Sequence, residues 1–404
     1  MQGIRFGANF IPSKNWLHSW VNWDASSIEE DLIASKELGI DHIRAHLMWP
    51  YFQIDPYVMS SVCMKNLESF RNICEKVNMD YHISLFTGFM SGLFFYPSWQ
   101  KKLTGNFGEG IFTNSEMIKT EEFYIREIVK VVGDSPNFLG FDLGNELSCI
   151  ALYDKTMTNA DGDKWNNYML DLCEELAPGK LHNNGVDHMP WFSNIGFTAA
   201  NLANTGSLTP LHCYSVFTGA LERFGRMSTE SLHLAPFMTE LAKAYCNDPN
   251  RLYCIQEFGT ASDIMDDEMI AFIKGSMDAM FTETNMWGIT WWCTHNITRN
   301  FTSFDKIEYE LGLLDTNNKP TAAGKLFSDI VKKYKASPVV PPERKCAFIL
   351  KENNPNEKPA DTRWENGHRY AQYVEQGIYP AIILPEKAND TEYLKSRGIE
   401  KILE

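Results

Sequence analysis

Two glutamates in matching surroundings suggest the chemistry. Glu146 closes the run Asp142-Leu143-Gly144-Asn145-Glu146, and Glu257 stands in Cys254-Ile255-Gln256-Glu257-Phe258-Gly259. Each follows an apolar stretch and precedes a small or turn-prone segment, which places each carboxyl at the end of a strand. Two carboxyl groups facing one another can split a glycosidic bond: one attacks the anomeric carbon or holds charge, and the other protonates the departing oxygen. Further residues fit the same pattern. Arg44 lies inside the apolar run His42–Trp49, where a cation needs a carboxylate partner. His212 and Tyr214 are two residues apart, and so share one face of a strand. Trp291-Trp292 ends another apolar run and offers an indole floor for a sugar ring.

The elements that must hold these groups alternate along the chain. Ile4–Phe10, His42–Trp49, Tyr81–Phe86 and Phe138–Gly144 read as strands, followed by a poorly marked Lys180–Val186 and then by Pro210–Val216, Arg251–Phe258 and Met286–Cys293. Helical stretches lie between them; one opens at an overlapping capping box, Ser26-Ser27-Ile28-Glu29-Glu30, and stops at Gly39. Eight strands with room for a helix after each imply right-handed parallel crossovers and an α/β fold, a (β/α)8 TIM barrel spanning residues 1–336. Such a barrel gathers its functional groups at the C-terminal ends of its strands, where both glutamates fall. Residues 337–342 (Ser-Pro-Val-Val-Pro-Pro) read as a stiff linker. Residues 343–404 read as a small βαβαβ unit, too short for a generous core of its own and expected to pack on the barrel or on a second copy of the chain.

Composition narrows the function classes. Lys+Arg 37 against Asp+Glu 52 among 404 residues gives a net charge of -15 with no basic block, which argues against nucleic acid and anionic membranes as partners. Nine cysteines without CxxC pairs make neither a disulfide framework nor a zinc site. Asn159-Ala160-Asp161-Gly162-Asp163 has calcium-like spacing but lacks the glycine and terminal Glu of an EF-hand loop. No P-loop, dinucleotide fingerprint or HExxH occurs, so neither a metal nor a cofactor is expected. The absence of a basic segment followed by an apolar one points to a cytoplasmic protein, or to a secreted one whose signal peptide has been removed.

Asn145-Glu146, His212-x-Tyr214, Glu257, Arg44 and a tryptophan after the last strand, taken in order, resemble the clan A retaining glycoside hydrolases, most closely family 5, the cellulase and mannanase group. The resemblance covers roughly residues 4–335. It implies Glu146 as acid/base and Glu257 as nucleophile, Asn145 at the sugar 2-hydroxyl, Tyr214 and Arg44 as partners of the nucleophile, and His212 near the acid/base. Family 5 members usually carry a histidine at the end of the third strand, where this chain has Leu85-Phe86-Thr87-Gly88. The expected activity is retaining hydrolysis of a β-linked glucan, mannan or galactoside, with an oligosaccharide or polysaccharide as the only partner besides a second copy of the chain. The alternative is a non-catalytic carbohydrate-binding barrel, whose carboxylates would merely hydrogen-bond sugar hydroxyls.

Overall fold

The computed structural model describes residues 3–352 and 358–404. Residues 1–2 of the expected barrel and 353–357 of the expected C-terminal unit lie outside the described residues.

Seven parallel strands form one curled sheet: β1 (Arg5–Phe10), β2 (His42–His46), β3 (Asp80–Phe86), β4 (Phe138–Gly144), β5 (Thr209–His212), β6 (Tyr253–Phe258) and β7 (Met286–Trp291). Their order is β4-β3-β2-β1-β7-β6-β5. The strands are almost wholly buried, as expected of a parallel sheet covered by helices. Two predicted strands run too long. His42–Trp49 ends at His46, because Trp49-Pro50 opens a short helix, and Pro210–Val216 ends at His212.

The predicted fifth strand is not a regular one. Leu181–Gly185 nevertheless runs parallel to β4. Leu181 N–H donates to Leu139 O, Asn183 N–H to Phe141 O, Leu143 N–H to Asn183 O, and Glu146 N–H to Gly185 O at 2.8 Å. Gly185 makes this approach feasible. Its φ is 62°, and a Cβ there would lie 2.0 Å from Gly144 O and 2.1 Å from Asp142 Oδ1. The segment thus extends the sheet beyond β4 while keeping its own irregular path, and it delivers Asn184 and Asp187 to the same end as Glu146.

Local polar residues set the helix ends. The first helix, Ala25–Glu37, is capped by Asp24, whose carboxylate accepts from Ser27 N–H at 3.1 Å, rather than by the predicted serines. The calcium-like run is a helix start. Thr158 and Asp161 form a reciprocal capping box, and Asp163 accepts from the Thr198 backbone N–H and hydroxyl.

Beyond the helix Ala322–Ala336, three further parallel strands, β8 (Cys346–Ile349), β9 (Ala381–Ile383) and β10 (Lys401–Leu403), pair in the order β9-β8-β10. The helix Pro359–Glu375 joins them to the main body. Its Trp364 packs against Phe192, Phe224 and Phe237, and its indole donates to Thr218 O at 2.9 Å. Phe348, Leu350, Trp364, Tyr370 and Ile382 belong to the same apolar core as the large sheet, while Ala347, Ala381, Ile383 and Ile399 form a small one on the other face. Buried charges continue the joint. Glu240 accepts from Lys243 and Arg397 at 2.8 Å each, and Glu283 pairs with Lys243 and Arg344.

Candidate active site

Arg44 is the hub at the open end of the sheet. It is buried and reaches three other strands. Nε donates to Asp142 Oδ2 at 2.7 Å, and Nη1 lies 3.0 Å from both Asn9 Oδ1 and Asn145 Oδ1 and 2.5 Å from Glu257 Oε1. The family resemblance implied Arg44 as a partner of Glu257; Asp142 is a second anionic partner not identified from the sequence. Two carboxylates around one guanidinium satisfy the buried cation. They also fix Glu257 Oε1 at the end of β6. Tyr214 holds the other oxygen, its hydroxyl donating to Glu257 Oε2 at 3.0 Å.

Burial pushes the Glu257 carboxyl up from its ordinary value, and the nearby Glu146 pushes the same way. Arg44 and the Tyr214 hydroxyl pull it back. Nothing comparable holds Glu146 ionised. It caps the short helix Leu147–Tyr153 with left-handed backbone angles (φ 49°, ψ 51°). Burial and then the charge of Asp187 raise its carboxyl to about 8 against the pull of Arg44. The surroundings therefore differ in kind: a guanidinium and a phenol donor hold Glu257, and neither bonds to Glu146.

The histidine between them points to the same assignment. Gln256 Nε2 donates to Asn183 Oδ1 at 3.0 Å, which turns Gln256 Oε1 toward His212 Nε2 at 3.1 Å. Nε2 must then carry the hydrogen. Burial lowers the His212 pKa, so the ring is neutral and its Nδ1 is a lone pair. Nδ1 lies 3.0 Å from Glu146 Oε1 and 3.5 Å from Glu257 Oε2. The proton in the shorter contact therefore belongs to Glu146.

Asn145, buried beside Glu146, donates to Phe89 O at 3.0 Å and accepts from Arg44. Its amide ties the turn Phe89–Phe94 to the catalytic end of β4. The paired tryptophans part company. Trp292 faces the mouth, with its ring 5.6 Å from His46. Trp291 is a correction to the expected sugar floor: it is fully buried, its indole donates to Leu311 O at 2.8 Å, and it packs edge-on against Phe258. Trp291 is the last residue of β7 and Trp292 the first beyond it, and their rings take different directions. His82 does not replace the histidine missing after β3, for it is buried and engages Leu181 O.

Sequence reasoning missed two further carboxyls at this end. Glu308 lies in the long connection after β7 and accepts from the Ser91 hydroxyl at 2.8 Å, and burial pushes it up to about 7. Asp187 stands at the end of the irregular segment and accepts from the Ser148 hydroxyl at 2.5 Å. Among the described residues, one cluster has metal-ligand spacing: Glu146, His212 and Glu257 present one donor atom each within 4.8 Å of one another. Both Glu257 oxygens are already engaged by Arg44 and Tyr214, and Glu146 Oε1 and His212 Nδ1 are engaged with each other. No helix of the described residues is long and apolar enough to cross a membrane.

No protein-family model matches the chain, and no curated protein does. Solved structures do. A GH5_18 protein from Streptomyces cattleya in complex with GlcNAc is 28% identical, with a TM-score of 0.93 and coverage of 100% of this chain and 98% of that one. A variant of that protein in complex with Manβ1-4GlcNAc matches at a TM-score of 0.92, 28% identity and coverage of 99% and 98%. A GH5_18 protein from Bifidobacterium longum subsp. infantis is 25% identical, with a TM-score of 0.91 and coverage of 100% and 97%. The exo-beta-1,4-mannosidase Op5Man5 from Opitutaceae bacterium strain TAV5, at 22% identity, shares the fold with a TM-score of 0.80, covering 95% of this chain and 70% of that one. With the carboxyl pair, its histidine and its arginine in place, the chain is a clan A glycoside hydrolase, most like family 5.

Proposed function

We propose that this protein is a retaining exo-β-mannosidase, built on a (β/α)8 barrel, that removes mannose from Manβ1-4GlcNAc and related short β-1,4-mannosides. The observation that carries the mechanism is the carboxyl pair: donor atoms of Glu146 and Glu257 lie within 4.8 Å, with Glu257 held by Arg44 and Tyr214 and Glu146 pushed up to about 8 by burial. Inverting enzymes hold their carboxyls about 6.5–9.5 Å apart to admit a water, so the close pair favours direct attack. Glu257 bonds to the anomeric carbon while Glu146 gives its proton to the glycosidic oxygen, breaking that bond and freeing the departing sugar. The resulting ester removes the charge of Glu257. Glu146, now ionised, takes a proton from water, whose oxygen displaces Glu257 and restores both groups.

The sugar and the exo action rest on different support. The GH5_18 relative binds Manβ1-4GlcNAc and GlcNAc. Glu146 is 19% exposed and Glu257 only 4%, which favours a pocket that admits a chain end over an open cleft. On the acid/base side the rim is aromatic. Phe94 and Tyr153 are exposed and meet edge-on at 5.3 Å, a platform suited to the departing sugar. Residues 343–404, joined through 337–342, form in this reading a C-terminal unit that contributes no catalytic group.

Following Manβ1-4GlcNAc hydrolysis by proton NMR tests this reading. β-Mannose should appear first and mutarotate later. First release of α-mannose would contradict retention, and cleavage of internal mannan linkages without release of mannose would contradict exo action.

A further inference from the structure

Asp187 lies where a strand-end residue of a regular fifth strand would lie, and it is almost fully buried. Its carboxylate only accepts. Oδ1 takes the Ser148 hydroxyl at 2.5 Å and the Met189 backbone N–H at 2.8 Å, and Oδ2 takes the Cys149 thiol at 3.4 Å. Three donors and no neighbouring acceptor are the surroundings of an ionised group. The same thiol lies 4.0 Å from Glu146 Oε2. Cys149 therefore stands between two carboxyl groups, and Glu146 is held beside it by its backbone N–H on Gly185 O and its carboxyl on His212 Nδ1.

The other groups facing Glu146 do not cancel this charge. Arg44, on β2, is shared between Asp142 and Glu257. His212, on β5, is neutral and accepts from Glu146. Glu257, on β6, and Glu308, in the connection after β7, are acidic and add to the repulsion. His188, whose Nδ1 is 4.0 Å from Asp187 Oδ2, is pushed toward its neutral form by burial. Asp187 is thus a fixed negative charge beside Glu146 that persists after Glu257 has become an ester.

We propose that Asp187 is a positioning residue that keeps Glu146 in its proton-donating form and aims it, with the Cys149 thiol as spacer between the two carboxyl groups. The proposal rests on the acid/base role given to Glu146 above. It also bears on the second half-reaction. A permanent neighbouring charge makes ionised Glu146 a stronger base toward water than the loss of Glu257's charge alone would leave it.

The test is Asp187→Asn in the full chain, read by carbon-13 NMR titration of the glutamate side-chain carboxyls, with Glu146 assigned by Glu146→Gln. The Glu146 midpoint should fall by about one pH unit or more. With Manβ1-4GlcNAc, the alkaline limb of kcat/KM should move down by the same amount, about a fivefold loss at pH 8 beyond any at pH 5.5. Asp187→Glu, which keeps the charge, should restore the limb. Asp187→Ser, whose hydroxyl and an admitted water can replace the lost acceptor, serves if asparagine perturbs the fold. An unmoved Glu146 midpoint in a folded variant overturns the proposal even if the enzyme is an active mannosidase. A fallen midpoint supports it whatever the substrate, so failure of the functional reading shows separately, as wild-type protein that releases no mannose.

Discussion

Arg44 Nη1 donates to Glu257 Oε1 at 2.5 Å, and both side chains are all but sealed from solvent. The contact reaches across the sheet from the second strand to the sixth and joins nucleophile to scaffold. Removing the cation would leave Glu257 and Asp142 as unpaired buried charges. Arg44→Met should therefore destabilise the fold by about 3–5 kcal/mol, read by urea unfolding, and abolish turnover in whatever folds. Full activity in a stable Arg44→Met protein would contradict this role.

Tyr214→Phe tests the second hold on the nucleophile. The phenol favours ionised Glu257, so its loss should raise that carboxyl further and move the acidic limb of the pH profile upward. The kcat should drop on the order of tenfold to a hundredfold, with KM changing less. A KM effect alone would make Tyr214 a substrate contact only.

Stability should fall with rising pH for an identifiable reason. Glu121, buried away from the site, accepts from the Trp165 indole at 2.8 Å, and burial raises its carboxyl from 4.5 to about 8. A folded-state value above the unfolded one means the native state holds its proton more tightly. That contribution is complete below pH 4.5 and is lost as pH rises through about 8. Glu121→Gln keeps an acceptor for the indole without the ionisation. Its Tm should fall less than that of the wild type between pH 5.5 and 8.5. Equal falls would place Glu121's titration elsewhere.

The joint to the C-terminal strands is expected to be structural. Trp364→Ala empties the space between Phe192, Phe224 and Phe237 and should cost about 3–5 kcal/mol in denaturant unfolding. The kcat on an aryl β-mannoside should stay unchanged in the folded protein. A lowered kcat at full folding would give this unit a part in catalysis.

How much of this was legible in the sequence depended on how regular the chain is around each residue. Glu146 and Glu257 each close a largely apolar run, and strand-end placement was read from that pattern. Asp187 stood beyond a segment whose Asn183-Asn184-Gly185 run carries no strand period, because its path beside β4 is irregular and leans on a glycine at positive φ. Glu308 lies in a long connection whose position over the mouth is set by its bond to Ser91, a contact between residues 217 positions apart. Trp291 is the last residue of β7 and Trp292 the first beyond it, and a dipeptide at a strand end does not say where the strand stops. The cap of the first helix moved to Asp24 for a similar reason, since several polar side chains in a row can each cap and packing of the helix selects one.

The central claim is that Glu257 attacks and Glu146 transfers the proton, and pre-steady-state kinetics separates the two. An aryl β-mannoside with a highly acidic phenol needs no proton donor to form the glycosyl-enzyme. Glu146→Ala should release a stoichiometric burst of phenol followed by slow turnover that azide accelerates, and Glu257→Ala should give no burst. A burst that survives in Glu257→Ala and vanishes in Glu146→Ala would reverse the two roles and contradict the account.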